Sequence, residues 1–255
     1  MTPDWSQLDR ELAAWRDLGL CLPLWWRDDD ATEPTPALKR LSQMSARLGL
    51  PVHLAVIPAR AQQALADRMA PGLIPVVHGW SHVSHAPPGE KKAEFGAHRP
   101  VAHLRADASR GLDRLRGLFG KRLGTMFVPP WNRVSDTLLP QLAGLGFTSV
   151  STFTPRRAPQ CAPGLARINT HLDPIAWRAG RGLVDPQILI AQVADQLADR
   201  REGRADNSEP YGVLTHHLVH DDGTWTFTES LLSRLLAGPA HPWTAAETGE
   251  PNEPT

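Results

Sequence analysis

Residues 24–30 read Leu24-Trp25-Trp26-Arg27-Asp28-Asp29-Asp30. An apolar run stops at three consecutive acids. Three adjacent carboxylates repel one another. A fold keeps them together either as a solvated loop tip or around a cation whose charge offsets the crowding. Cys21 to Trp26 is short and nearly all apolar, as expected of a parallel strand buried on both faces. A strand that runs into acids marks the place where barrels and open α/β sheets carry their chemistry, the carboxyl ends of strands.

Outward from this stretch, strand and helix signals alternate. Asp4 to Gly19 carries Leu8, Leu12, Trp15 and Leu18 at helical spacing, and Pro36 to Leu48 carries Leu38, Leu41, Met44 and Leu48. Further strands are predicted at Pro51–Ile57, Leu73–Val77, Thr125–Val128, Phe147–Ser151, Leu165–Asn169 and Tyr211–Thr215. Further helices are predicted from Pro58 to about Met69 and at Pro100–Phe119, Ser135–Leu145, Pro186–Arg201 and Phe227–Leu236. Gly79 to Gly96 and Pro155 to Gly164 read as loop and connection. Seven strand–helix units imply a mainly parallel sheet with helices outside, and an incomplete or distorted barrel fits seven units better than an open sheet. The expectation is one domain over residues 1–244 and a disordered tail over 245–255.

Composition narrows the function classes. The chain has 255 residues, 27 Lys+Arg against 27 Asp+Glu, and a formal net charge of +0. That balance gives no bulk attraction for nucleic acid or an anionic membrane. Two cysteines without a CxxC exclude a structural thiolate zinc site and argue against a disulfide framework. No signal-peptide pattern and no membrane-length apolar run are seen, so a cytoplasmic protein is expected. Nine Trp and 11 His are compatible with sugar stacking, metal ligation and proton transfer.

The polar residues collect at strand ends. After the first come Asp28-Asp29-Asp30, after the third His78-Gly79-Trp80-Ser81-His82, and after the fourth Pro129-Pro130-Trp131-Asn132-Arg133. The sixth leads to His171-Leu172-Asp173, and the last ends in His216-His217. In a barrel these ends share one face. An isolated His-x3-His pair usually caps a turn. Beside the triple Asp, two imidazoles and one carboxylate match a hydrolytic metal site with an open position. Either Asp28 or Asp29 supplies that carboxylate, and the other is left to act as base. Taken singly, Trp131 reads as packing, Arg133 as a loop salt bridge, His53 and His241 as incidental, and Asp221-Asp222-Gly223 as a turn.

Together these residues resemble the polysaccharide deacetylases, the NodB-homology or family 4 carbohydrate esterases, in a divergent bacterial subgroup. The resemblance runs in motif order from residue 24 to about 220. It implies a distorted (β/α)7 barrel. By the family's acid pair, it makes Asp28 the general base and Asp29 a metal ligand with His78 and His82. The family's glycine after the pair is Asp30 here, and Gly79 stands where Ser or Thr is usual. The Arg-Pro-Pro-aromatic motif becomes Val128-Pro129-Pro130-Trp131, so Arg27 or Arg133 must replace the arginine that orients the base. The fourth motif keeps Asp173 and Trp177 but has Ala176 at its second acid. Leu214-Thr215-His216 matches the last motif and makes His216 the general acid.

The resemblance implies a divalent metal, zinc first, with cobalt, nickel or manganese as alternatives. It also implies removal of an N-acetyl group from an amino sugar or glycan. Trp80, Pro130, Trp131, Asn132, Arg133, Asp173, Trp177 and His217 are expected around the substrate. The altered motifs leave two other outcomes: a glycan-binding homologue without turnover, and hydrolysis of non-sugar amides on the same scaffold.

Overall fold

The computed structural model describes residues 3–245. Its strands are β1 (Leu22–Ala31), β2 (Val52–Val56), β3 (Leu73–His78), β4 (Met126–Val128), β5 (Ser149–Val150), β6 (Gln160–Ala162), β7 (Leu165–Arg167), β8 (Tyr211–Thr215) and β9 (Ala240–Pro242). Its α-helices are α1 (Ser6–Asp17), α2 (Pro36–Leu48), α3 (Gln63–Asp67), α4 (Val101–Phe119), α5 (Leu139–Leu145), α6 (Pro186–Arg201) and α7 (Asp222–Ala237). They form one sheet in the order β6-β7-β5-β4-β3-β2-β1-β8, with β9 alongside the start of β1. Every pairing is parallel except β6 with β7. Past β7 the chain continues to a parallel bridge between Leu172 and Val213 of β8, which brings the two ends of the sheet together. The strands β1, β2, β3, β4, β5, β7 and β8 are the seven expected of a distorted (β/α)7 barrel.

The apolar residues divide by face, because side chains alternate along a strand. Leu22, Leu24 and Trp26 of β1 join a large cluster with the inner faces of the helices. Trp25, Ala55, Val76, Met126, Val128 and Ile168 form a second cluster that contains no helical residue, the barrel interior. Trp25 fills that interior and donates its indole N–H to the Asn169 carbonyl at 3.1 Å. Gly212, its register partner on the neighbouring strand β8, makes room for it, since a Cβ there would lie 2.4 Å from the indole nitrogen.

Several elements differ from the sequence expectation. β1 does not stop at Trp26 but runs through all three acids to Ala31. The helix expected from Pro58 to Met69 is a 3₁₀ turn at Pro58–Arg60 followed by the short α3. β6, inside the expected Pro-rich connection, and β9 were not foreseen; both are three-residue edge strands with weak periodicity. Asp221, read as a turn residue, caps α7 by accepting from the Thr224 N–H at 2.7 Å. The start of the expected disordered tail is placed: the Ala245 N–H donates to His53 Nε2 at 3.1 Å, and Trp243 stacks over the His53 ring. His53 is thus a buried contact of the C-terminal segment, its pKa pushed down to about 4 by burial. Residues 246–255 of that tail lie outside the described residues.

Candidate metal and catalytic site

The geometry of β1 decides how the three acids are used. Arg27 and Asp29 are two apart and share the barrel face. Trp26 and Asp28 share the opposite face, where both meet the Thr215 hydroxyl. Beyond Asp28 the pairing with β2 slips: Asp28 lies opposite Leu54 but Ala31 lies opposite Val56, one residue too many on β1. Such a bulge re-aims a side chain. Here it coincides with Asp30 at φ 77°, in the left-handed region.

The residue that meets the two imidazoles is therefore Asp30, not Asp29. Asp30 Oδ1 lies 3.2 Å from His78 Nε2 and 3.2 Å from His82 Nε2. Among the described residues this is the one group of three or more His, Cys, Asp or Glu whose donor atoms converge, all within 4.8 Å of one another. The cluster opens to solvent on one side, with the Asp30 and His82 side chains 30% and 20% exposed. His78 is buried, and its Nδ1 lies 3.0 Å from the Val128 carbonyl. The tautomer selected by that contact turns the Nε2 lone pair toward the Asp30 carboxylate. Lone pairs converging in this way repel unless a proton or cation lies among them, and the outer hydrogen bond is typical of a ligating histidine. An oxygen and two imidazole nitrogens suit a divalent cation of the zinc or cobalt type. Burial raises the Asp30 carboxyl, but His78 and His82 outweigh it and hold it well below the usual range. Burial likewise lowers His78, while Asp29 and Asp30 carry it above its ordinary value.

Asp29 is held instead by Arg27. Arg27 Nε donates to Oδ1 at 2.9 Å and Nη2 to Oδ2 at 3.0 Å, a two-pronged pair on a fully buried guanidinium. The remaining Arg27 donors reach Ser151 Oγ at 2.7 Å and Asn132 Oδ1 at 2.7 Å, tying β1 to the ends of β5 and β4. Arg27, rather than Arg133, thus faces the acid from within β1. Arg133 donates to the Lys92 carbonyl at 2.6 Å, the loop contact that its position after the Pro-Pro suggested.

Asp28, the expected base, is buried and fully engaged. Its Oδ2 accepts from the Thr215 hydroxyl at 2.6 Å and from the His217 backbone N–H at 3.0 Å, and its Oδ1 lies 2.5 Å from His217 Nδ1. It has no exposed surface. His217, expected beside the substrate, is its buried partner. Burial lowers His217, but the charge and hydrogen bond of Asp28 win and raise it.

His216, next along the chain, is half-buried and packs edge-on against Trp177 at 4.6 Å between centroids. Trp177 is 42% exposed and donates its indole N–H to Asp173 Oδ2 at 2.8 Å. Burial raises the Asp173 carboxyl, partly offset by the nearby charge of His216. Trp131 lies 4.3 Å from the His82 ring, carried on a turn where Trp131 and Asn132 both have positive φ and Pro130 is buried beneath. Trp80 does not flank this mouth. Its ring lies under the Arg110 guanidinium of α4, 3.9 Å from the centroid, and packs into the core beneath the helices.

The sequence motifs assign a role to neither of two participants. Asp30 belongs to the acidic run but stands at a position that the resemblance fills with glycine. Glu94, in a stretch read as loop, is buried with its carboxylate on the backbone of residues 80–82.

No protein-family model and no curated protein matches this sequence. Solved structures do match in three dimensions. A family 4 carbohydrate esterase from Streptomyces lividans, in complex with acetate, superposes with a TM-score of 0.57 at 14% identity, over 90% of this chain and 96% of that one. The peptidoglycan deacetylase PdaC from Bacillus subtilis gives 0.53 at 16% identity, over 89% of each chain. A family 4 acetyl xylan esterase from Clostridium thermocellum, in complex with a cobalt ion, gives 0.51 at 14% identity, over 88% of each chain. The chain accordingly has the fold of the family 4 polysaccharide deacetylases, the distorted (β/α)7 barrel of NodB type.

Proposed function

We propose that this chain is a metal-dependent hydrolase that removes an acyl group, N-acetyl first, from an amino sugar or glycan. The observation that carries the reading is the convergence of Asp30, His78 and His82 at the mouth of the barrel. Arg27-bound Asp29 on the same strand and His216 at the end of β8 accompany it. Asp30, His78 and His82 would hold a divalent cation, which would supply Lewis acidity toward the acyl carbonyl and acidify water when bound. Asp29 takes the proton from the attacking water. Its oxygens each receive one Arg27 N–H and keep a second lone pair for that proton. Arg27 fixes its direction. His216 hands a proton to the departing nitrogen, so the C–N bond breaks to release a neutral amine. Trp131 and Trp177 border the sugar ring. We assign Asp28 and His217 to the support of β8, not to the reaction.

The solved neighbours include enzymes named for peptidoglycan and for acetyl xylan, which supports an acetylated glycan as substrate and puts O-acetyl groups beside N-acetyl groups in the test. If the chain works in the cytoplasm, a soluble amino-sugar derivative is the substrate we favour. Purified protein supplied with Zn²⁺ or Co²⁺ is to be incubated with N-acetylated chito-oligosaccharides, acetylated xylan and small amides, and acetate measured. Cation-dependent acetate release from the chito-oligosaccharides is expected. Glycan binding with no acetate from any substrate would replace the hydrolase by a binding protein.

A further inference from the structure

Glu94 is fully buried, yet it belongs to no motif and no ion pair engages its carboxylate among the described residues. A buried charge is costly unless hydrogen bonds meet it. Here the partners are the N–H groups of three successive residues. Oε2 accepts from Trp80 N at 3.3 Å and His82 N at 3.2 Å, and Oε1 accepts from Ser81 N at 2.7 Å and the Ser81 hydroxyl at 2.8 Å. Successive backbone N–H groups make a concavity suited to an anion, and in this molecule the anion is built in. Glu94 is itself held from outside: Arg99 donates to its carbonyl at 3.0 Å and pairs with Asp107 of α4, and the adjoining Phe95 bridges to Val134.

The last of the three anchored residues is His82, whose φ of 58° is a conformation that side chains other than glycine rarely adopt. That turn brings the His82 ring beside His78 and its Nε2 onto Asp30. Gly79 belongs to the same construction. A Cβ at Gly79 would lie 2.5 Å from Glu94 Oε2 and 2.5 Å from Pro130 Cδ, so the carboxylate occupies the space a side chain there would need. The glycine found where the resembling motif carries Ser or Thr is thereby explained.

We propose that Glu94 is a positioning residue for the cation site: it locks the 79–82 turn so that His82 converges with His78 and Asp30, and thereby sets the affinity for a divalent cation. This rests on the metal reading above. The test is calorimetric titration of the full chain with Zn²⁺ and Co²⁺, with the visible absorption of bound Co²⁺ as a report on ligand geometry. Glu94→Gln places an amide where two N–H groups need an acceptor, and Ser81→Ala removes one hydrogen bond without touching a ligand. Hydrogen bonds to a charged group predict about a ten- to hundredfold weaker affinity for Glu94→Gln, a smaller loss for Ser81→Ala, and an altered Co²⁺ spectrum for Glu94→Gln. His82→Ala serves as the reference for a lost ligand. If both variants bind the cation as tightly as the parent while His82→Ala does not, the positioning role is overturned and the metal site stands. If the parent binds no cation, both fall. Should Glu94→Gln fail to fold, Ser81→Ala decides, and parent-like affinity in it overturns the proposal.

Discussion

Asp29 and Arg27 are partners on one strand, two residues apart, and both carboxylate oxygens of Asp29 are met by the guanidinium of Arg27 at 2.9 and 3.0 Å. The position that the resembling family gives to the orienting arginine is Val128, a residue of the barrel interior. Arg27 approaches the acid from its own strand, and Ser151 and Asn132 brace it. Removing one member of a buried pair leaves the other charge unpaired and typically costs ~3–5 kcal/mol. Arg27→Met should lower stability by about that amount in urea melts. Arg27→Lys, which keeps the charge but loses the two-pronged geometry, should retain more stability while lowering kcat by about tenfold or more. Unchanged kcat in a folded Arg27→Lys protein would remove the orienting role.

The assignment of the acids can be tested by their separate failure. Asp29→Asn should reduce kcat by at least about a hundredfold, in line with the loss of a general base, and leave cation affinity near that of the parent. Asp30→Asn should lose cation affinity and, with it, activity. Titration calorimetry and acetate release on the same preparations give both readings. The reverse pattern would return the ligand to Asp29.

His216 and His217 are neighbours with different surroundings, and their variants should differ accordingly. His216→Ala should lower kcat by ~10²–10⁴-fold with cation affinity and melting temperature little changed, because it is half-buried at the mouth. His217→Asn should chiefly lower stability, because its ring nitrogen meets the buried Asp28. A folded His217→Asn protein with a kinetic defect as large as that of His216→Ala would move the acid one residue along.

The same pair gives a pH dependence of stability. Burial lowers His217 and Asp28 raises it, with a net rise; burial raises Asp28 and His217 lowers it, with a net fall. A raised histidine contributes stability that is complete below its unfolded pKa of about 6.5 and is lost as pH rises through its folded value. A depressed aspartate contributes stability that is complete above about pH 3.9 and is lost as pH falls through its folded value. The coupling between Asp28→Asn and His217→Asn in a double-mutant cycle should therefore be largest between about pH 4 and 6.5 and shrink on the alkaline side. Urea melts from pH 5 to 9 measure it; a coupling that grows with pH contradicts the arrangement.

The barrel was legible because its signals are local. The apolar runs of β2, β3 and β8 and the spaced leucines of α2 and α6 state their own secondary structure, and α2 and α6 fall where the periodicity places them. β6 and β9 were missed because three residues at a sheet edge carry no period to read. At the site, His78 ends β3 and His216 follows β8, while His82 lies on the turn just beyond β3.

What the sequence by itself determined is that three acids and two histidines share a rim of a parallel α/β barrel. Which acid faces which partner was decided in three dimensions. Strand alternation sends Asp28 outward to Thr215 and His217 and sends Asp29 inward to Arg27, and one extra residue in β1 turns Asp30 onto the imidazoles. A bulge depends on how two strands pair, and a run of identical residues holds no mark of where the pairing slips. Glu94 was hidden for a related reason: its partners are backbone N–H groups 12 to 14 positions away, which have no residue type to read.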